Sequence, residues 1–313
     1  MVNRYWAAFW LVGFIYGTSF LLNAIALREL NSLEIGFLRY GLAGIGLLAI
    51  VWYQKRPFPR DRKSLMELAL IGLGNHTLPF GLIVWAQTRV DSGLAAVFMA
   101  TAPLYSLLVA HFIFEDERMT PQKVLGVFMA FTGIVLLSSR SLQEGGLSGS
   151  FFGEAVIIFA AAISAIATIY SRRVIRNKPD AVVMSTGAML SSAIMMLAAS
   201  FVLAGVQDGS VPAFLTGLSA NIWLTMLVMA VVNTLLANTL FYYVIRGLGA
   251  SRSTMVTYVF PPVSLVLGAV FLHEVIDARI IFGTFIILSG LAIVNMQLEQ
   301  SFAPIHRMLQ ETR

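Results

Sequence analysis

Cysteine is absent from the 313 residues, so no disulfide, thiolate metal site or thiol nucleophile can form. Charge is scarce too. Asp, Glu, Lys and Arg make up 12% of the chain, against about a quarter in an ordinary soluble domain. No G-x-x-x-x-G-K-[ST] run is present, which removes the P-loop route to nucleotide energy, and no H-E-x-x-H run offers a zinc site. No Asp or Glu stands in the middle of an apolar run; Glu34, Glu67 and Glu154 lie near the starts of theirs. Long polar connections are missing as well, so no soluble domain fits between the apolar segments.

What is present is apolar. Hydrophobic residues make up 58% of the chain and the mean hydropathy is +0.81. A membrane helix needs about 20 mainly apolar residues. Ten segments meet that length, at 5–27, 33–53, 65–88, 92–114, 121–139, 151–171, 181–205, 221–245, 251–273 and 279–298. Ala24-Ile25-Ala26 resembles a signal-peptide cleavage site. The stretch before it exceeds a signal core of about 7–15 residues, and its basic flank is Arg4 alone, so it reads as the first span.

The net charge of +5 is a matter of loops. With the N-terminus inside, the inner connections hold Lys55, Arg56, Arg60, Arg62, Lys63, Arg118, Lys123, Arg172, Arg173, Arg176, Lys178, Arg246 and Arg252. The outer ones hold Arg28, Arg89, Arg140 and Arg279. This positive-inside bias puts both termini in the cytoplasm and assigns the basic residues to topology and anionic lipid, not to nucleic acid.

A shift of 157 positions overlays the two halves. Thr77 falls on Thr234, Leu78 on Leu235, Arg89 on Arg246, Glu117 on Glu274, Gly126 on Gly283 and Gly133 on Gly290. Pro103 lies one residue out of register with Pro261. The match covers spans 3–5 and 8–10. Five spans per half is an odd number, so the second half must enter the membrane upside down. The expected fold is an all-α integral membrane protein with ten transmembrane helices in two inverted five-helix repeats. The expected division is 1–140 and 151–299 for the repeats, 141–150 for a linker and 300–313 for a cytoplasmic tail.

Two passages carry a family signature. "LYSLLVAHFIFEDERMTPQKVLGVFMAFTGIVLL" (104–137) and "PVSLVLGAVFLHEVIDARIIFGTFIILSGLAIV" (262–294) each contain or follow a Pro, then Glu117 or Glu274, then Gly126 or Gly283, then Gly133 or Gly290. With "FLRYGLAG" (37–44) around Arg39, the chain resembles the EamA type of the drug/metabolite transporter superfamily. The resemblance implies a central cavity lined mainly by spans 3, 4, 8 and 9, with help from 1, 2, 6 and 7. Two departures stand out. The second half has no evident counterpart of Arg39, and span 6 reads "AAISAIATIY" where relatives often carry a Trp.

Polar groups inside the bilayer are costly unless they meet a partner or a wet cavity. "IGLGNHTLPFGL" (71–82) breaks an otherwise apolar span with Asn75, His76, Thr77 and Pro79. Thr77, Gly81, Trp85 and Arg89 recur at steps of four along one face of span 3, and Thr234, Asn238, Tyr242 and Arg246 do so in span 8. The candidate substrate contacts are Tyr16, Asn75, His76, Thr77, Trp85, Tyr105, Asn233, Thr234, Asn238, Tyr242 and Tyr258. The bland alternative is that these groups bond helix to helix. Pro79 removes a donor from the helical ladder, which predicts a kinked, hydrated site there. His76 is the candidate for proton coupling, because its ordinary pKa of about 6.5 is in the useful range.

Arg39, Glu117, Glu274, Gly126, Gly133, Gly283 and Gly290 read as structural. Arg39 would be an interhelical brace, the glutamates would pair with Arg118 or Arg279 in turns, and the glycines would allow close helix approach. No cofactor or metal is expected. The expected partners are a small-molecule substrate and the lipid bilayer of a prokaryotic inner membrane, with a homodimer as an assembly option. The leading function is a secondary transporter, an exporter of a small organic metabolite such as an amino acid. The rivals are a non-transporting membrane scaffold and an intramembrane enzyme; the second lacks paired carboxylates, cysteine and a metal cluster, so the protein is expected not to be an enzyme.

Overall fold

The computed structural model describes residues 2–113, 119–145, 149–175, 180–206 and 211–311. Within these, side chains at 2–3, 142–145, 172–173, 175, 250–251 and 295–311 are outside the description. The described residues contain helices and no strand. Among the described residues, nine helices are long and apolar enough to cross a membrane: Arg4–Ala26, Ser32–Tyr53, Arg62–Ala86, Ser92–Ile113, Pro121–Ser141, Ser150–Ser171, Ala181–Val206, Ala220–Leu248 and Arg252–Leu272. A tenth apolar stretch, Ala278–Val294, opens a helix that runs on to Glu311. These are spans 1 to 10. The helix of span 5 continues to Gly145, into the segment expected as linker.

Local chemistry sets the helix starts. Asn31 caps span 2 by accepting from the N–H groups of Leu33 and Glu34, and the Glu34 carboxylate returns the contact at the Asn31 N–H. Its other oxygen accepts from the Ala213 N–H, at the start of a short helix before span 8. Asp61 and Ser219 cap spans 3 and 8 through the N–H groups of Ser64 and Ile222.

The packing follows an inverted two-fold rule. Span 1 packs on spans 8 and 9, as span 6 packs on spans 3 and 4. Span 3 meets span 7, and span 8 meets span 2. Spans 2 and 7, 4 and 9, and 5 and 10 pair with each other. Each of these contacts has its counterpart with the repeat numbers exchanged, which is the arrangement two inverted halves require.

Spans 5 and 10 show the rule at atomic scale. A Cβ on Gly126 would stand 2.6 Å from the Gly290 carbonyl oxygen, and one on Gly290 would stand 2.5 Å from that of Gly126. A Cβ on Gly133 would lie 2.9 Å from the Gly283 carbonyl oxygen. The two backbones touch through glycine at both points, a separation that any side chain would widen.

The bundle is turned inside out relative to a soluble one. Phe112, Phe128, Phe285 and Val270 face outward with large exposed surfaces, while Thr101, Thr186, Ser192, Asn233, Thr234 and Ser264 are buried. In water so much exposed apolar area would drive aggregation. In hydrocarbon it costs nothing, and the polar groups instead seek one another inside.

Candidate functional site

Spans 3 and 8 both lose their regular helical winding at the centre of the bundle. Span 3 runs as an α-helix to Gly72, widens to a π-helix over Leu73–Thr77, and resumes at Leu78. The Leu78 N–H reaches back five residues to the Leu73 carbonyl. Pro79 follows at once, in the first turn of the resumed helix, where its missing donor does least harm. Span 8 widens over Val231–Leu236, and the Ala237 N–H reaches the Val232 carbonyl. The repeat shift carries 73–77 onto 230–234, so the two widened turns are repeat-related. Pro79 therefore does not cause the irregularity, because span 8 has it without proline. Single π-turns leave carbonyls short of donors and occur often at functional sites. In span 8 the Thr234 hydroxyl donates to the Met229 carbonyl at 2.9 Å and fills one such gap.

Each widened turn sends an Asn and a Thr to the opposite repeat. Asn75 donates to Ser171 Oγ at 2.6 Å and accepts from Thr168 Oγ1 at 3.3 Å, both on span 6. Asn233 directs its amide at the Ile15 carbonyl (2.6 Å), Thr18 Oγ1 (2.8 Å) and Ser19 Oγ (3.0 Å), all on span 1. Thr77 donates to Ser192 Oγ of span 7 at 2.9 Å, with the Met195 sulfur 3.9 Å away. Thr234 accepts from Arg39 Nε of span 2 at 3.0 Å. Asn233 and Thr234 are buried, whereas Asn75, His76 and Thr77 remain partly accessible although they sit mid-span.

Around these turns a polar and aromatic cluster forms. The Tyr16 hydroxyl donates to Asn238 Oδ1 at 3.3 Å. The Arg39 guanidinium lies 5.0 Å from the Phe80 ring centre and 5.8 Å from that of Tyr40. The His76 ring stands 4.8 Å from the Tyr40 ring. Tyr242 follows Asn238 by one turn on the same face of span 8. Arg39 thus reaches across to span 8 instead of turning to the surface with Glu34, which is engaged elsewhere.

The remaining candidates lie away from this cluster. Tyr105 packs edge-on against Phe131 of span 5, and the Tyr258 hydroxyl donates to the Leu291 carbonyl of span 10 at 2.8 Å. Trp85 sits nearer the C-terminal end of span 3, edge-on to Phe152, with the Arg89 guanidinium 4.0 Å over its ring. Ser192, Tyr40 and Phe80 are among the contributors absent from the sequence-based set. Ser192 has no polar stripe to mark it, and Tyr40 was legible only as the neighbour of Arg39.

Beyond Trp85 opens a vestibule of about 440 Å³, lined among others by Arg89, Asp91, Glu154, Glu274, Asp277 and Arg279. Its charges are largely committed to structure. Glu274 accepts from the N–H groups of Ser92 (2.7 Å) and Gly93 (3.0 Å), capping span 4. Arg279, expected beside Glu274, instead lies 3.5 Å from Asp277 and donates to the Leu137 carbonyl. Burial alone would raise the Asp277 carboxyl, but the Ile280 N–H, Arg279 and Arg140 outweigh it and hold it below the usual carboxylate range. Asp91 goes the other way: loss of water, then the nearby Glu274 charge, push it up. Glu117, the repeat counterpart of Glu274, lies outside the described residues. Among the described residues no cluster of His, Asp and Glu could hold a metal ion.

Ten apolar helices in two inverted halves, with broken helices and buried polar groups where the halves meet, define a multi-pass membrane protein of the inverted-repeat transporter class. The EamA-like transporter family matches residues 5–139 and again 151–296, and the chain belongs to that family. It is similar to an "Uncharacterized transporter" of Archaeoglobus fulgidus, 24% identical over 92% of this chain and 98% of that one. The "Uncharacterized inner membrane transporter YedA" of Escherichia coli K12 is 29% identical over 81% of this chain and 78% of its own. A Streptantibioticus cattleyicolor protein named "Probable terminal-alkyne amino-acid exporter" is 24% identical over 84% and 87%. A solved crystal structure shares the fold, with a TM-score of 0.63 at 15% identity over 95% of this chain and 99% of that one.

Proposed function

We propose that the protein is a secondary transporter that exports a small organic metabolite, such as an amino acid, by rocking one repeat against the other around a midplane site. The observation that carries this reading is the pair of repeat-related π-turns in spans 3 and 8. A scaffold has no use for two broken helices, which forgo regular hydrogen bonds in a medium that supplies no replacements. A carrier needs them, because unwound backbone at mid-depth offers polar groups to a ligand. The outward direction follows the relative named as an amino-acid exporter. Tyr16, His76, Asn238 and Tyr242 form the contact set, with His76 as the residue able to carry a coupled proton. Both termini lie in the cytoplasm, as the basic inner loops require.

The test is a profile of metabolites released by cells making the wild type, beside cells making Trp85→Ala/Asn238→Ala at matched membrane levels. Export predicts at least one compound enriched outside with the wild type alone. Identical profiles would favour the scaffold and overturn export.

A further inference from the structure

We propose that the carried molecule bears a carboxylate and that Arg39 holds it at mid-depth. This rests on the transporter reading above and names the substrate class of the same site. Arg39 lies two turns into span 2, well past the cap at Asn31. One nitrogen is engaged: Nε donates to Thr234 Oγ1 at 3.0 Å. Among the described residues, Nη1 and Nη2 make no hydrogen bond and no acid forms an ion pair with the guanidinium. The acid on its own helix, Glu34, is held by the N–H groups of Asn31 and Ala213. Its ring neighbours, Phe80 and Tyr40, offer π-faces, which attract a cation but do not neutralise it.

A guanidinium so deep in a membrane without an acid is expensive to keep. Arg39 is nonetheless partly accessible, and neither free nitrogen is among the fully buried side-chain atoms left without a partner. Two parallel N–H donors match the two oxygens of a carboxylate. The Thr234 bond fixes the plane of the fork in advance, which lowers the ordering cost of binding.

The asymmetry between the halves sets the charge. On the other side of the pseudo-two-fold axis, Thr77 meets Ser192 and Met195, which carry no charge. One cation balances one negative charge, so a monoanionic carboxylate fits and a phosphate dianion does not. The described residues of the cluster contain no acid, so an ammonium group alone finds no counter-charge there. An amino group on the ligand would instead meet oxygens of the Tyr16–Asn238 pair.

Purified full-length protein in detergent provides the test. Its melting temperature is measured with the common L-amino acids and simple 2-oxo acids, beside the matching amides, the matching amines and small phosphate monoesters. At least one acid is expected to stabilise the wild type while its amide, its amine and the phosphate esters do not. For that acid, Arg39→Lys should bind about tenfold more weakly, since a point charge replaces the fork, and Arg39→Gln should not bind. Both variants are judged only if they elute as monodisperse protein; the acid-against-amide comparison needs neither. Equal stabilisation by an amide, amine or phosphate ester overturns the carboxylate inference and leaves transport standing. Absence of binding by every class, together with an unchanged metabolite profile, overturns both.

Discussion

Spans 3 and 8 share one backbone and differ in chemistry. Both widen into a π-turn, and both send Asn and Thr to the opposite repeat. Yet Asn75 has an accessible side chain and a short list of hydroxyl partners, while Asn233 is 2% exposed and points at three acceptors on span 1. Thr77 finds a hydroxyl where Thr234 finds a guanidinium. In the carrier proposed above, duplicated backbones would keep the moving parts alike, and unequal side chains would let one half grip the ligand while the other stays permissive.

The harshest way to break the comparison is to make the halves identical in sequence where the packing differs. Gly72 of span 3 corresponds to Met229 of span 8, and a Cβ at 72 would collide with the Ala188 carbonyl of span 7. Gly72→Met is expected to destabilise by about 3 kcal/mol or more, read as loss of the monodisperse peak in size-exclusion chromatography. Gly205, with open space around it, should accept Ala without change.

The two asparagines come next. Asn233→Leu strands buried acceptors on span 1 and should cost about 2 kcal/mol, whereas Asn75→Leu should cost about 1 kcal/mol. Thermal melts of the two variants side by side check the order; equal losses would mean that burial does not distinguish the halves.

A smaller effect separates support from site. Tyr258→Phe loses one bond to the Leu291 carbonyl and should cost about 1 kcal/mol with unchanged release of the exported compound. Tyr16→Phe gives up a longer bond, 3.3 Å to Asn238. It should barely alter the melt but slow release.

The smallest effects sit in the vestibule beyond Trp85 and have opposite signs. Asp277 is held below its ordinary range, so its contribution is present above about pH 4 and is lost as pH falls through the depressed value. Asp277→Asn should therefore lower the melting temperature at pH 7, with the difference closing in acid. Asp91 is held above its range, so its favourable state is the protonated one, lost as pH rises through the raised value. Asp91→Asn should slightly raise the melting temperature at pH 7 and change nothing below about pH 4. Both groups lie near water, so each effect stays under about 1 kcal/mol.

Much of this was legible along the chain. Apolar runs of membrane length located the spans, and paired Arg, Glu and Gly at one offset exposed the repeat. The cluster at 75–77 pointed to an irregular turn because polar residues and Pro79 interrupt an apolar run. Its partner at 231–236 carried a weaker signal, with Asn233 and Thr234 alone and no proline. The expected pairing of Glu274 with Arg279 missed the cap on span 4, because a carboxylate near a helix N-terminus satisfies backbone donors that leave no mark in a sequence.

The sequence by itself determined the medium, the number of crossings, the inversion of the halves and the depth at which polar groups appear. Hydrocarbon tolerates few other patterns, so composition and period suffice for these. Only the tertiary structure decided which way the polar groups face. Lipid tails and neighbouring helices are equally apolar, and hydropathy cannot tell one from the other. That is why Tyr105 and Tyr258 turn toward spans 5 and 10, why Arg39 crosses to Thr234, and why an ion-pair partner for it is missing among the described residues.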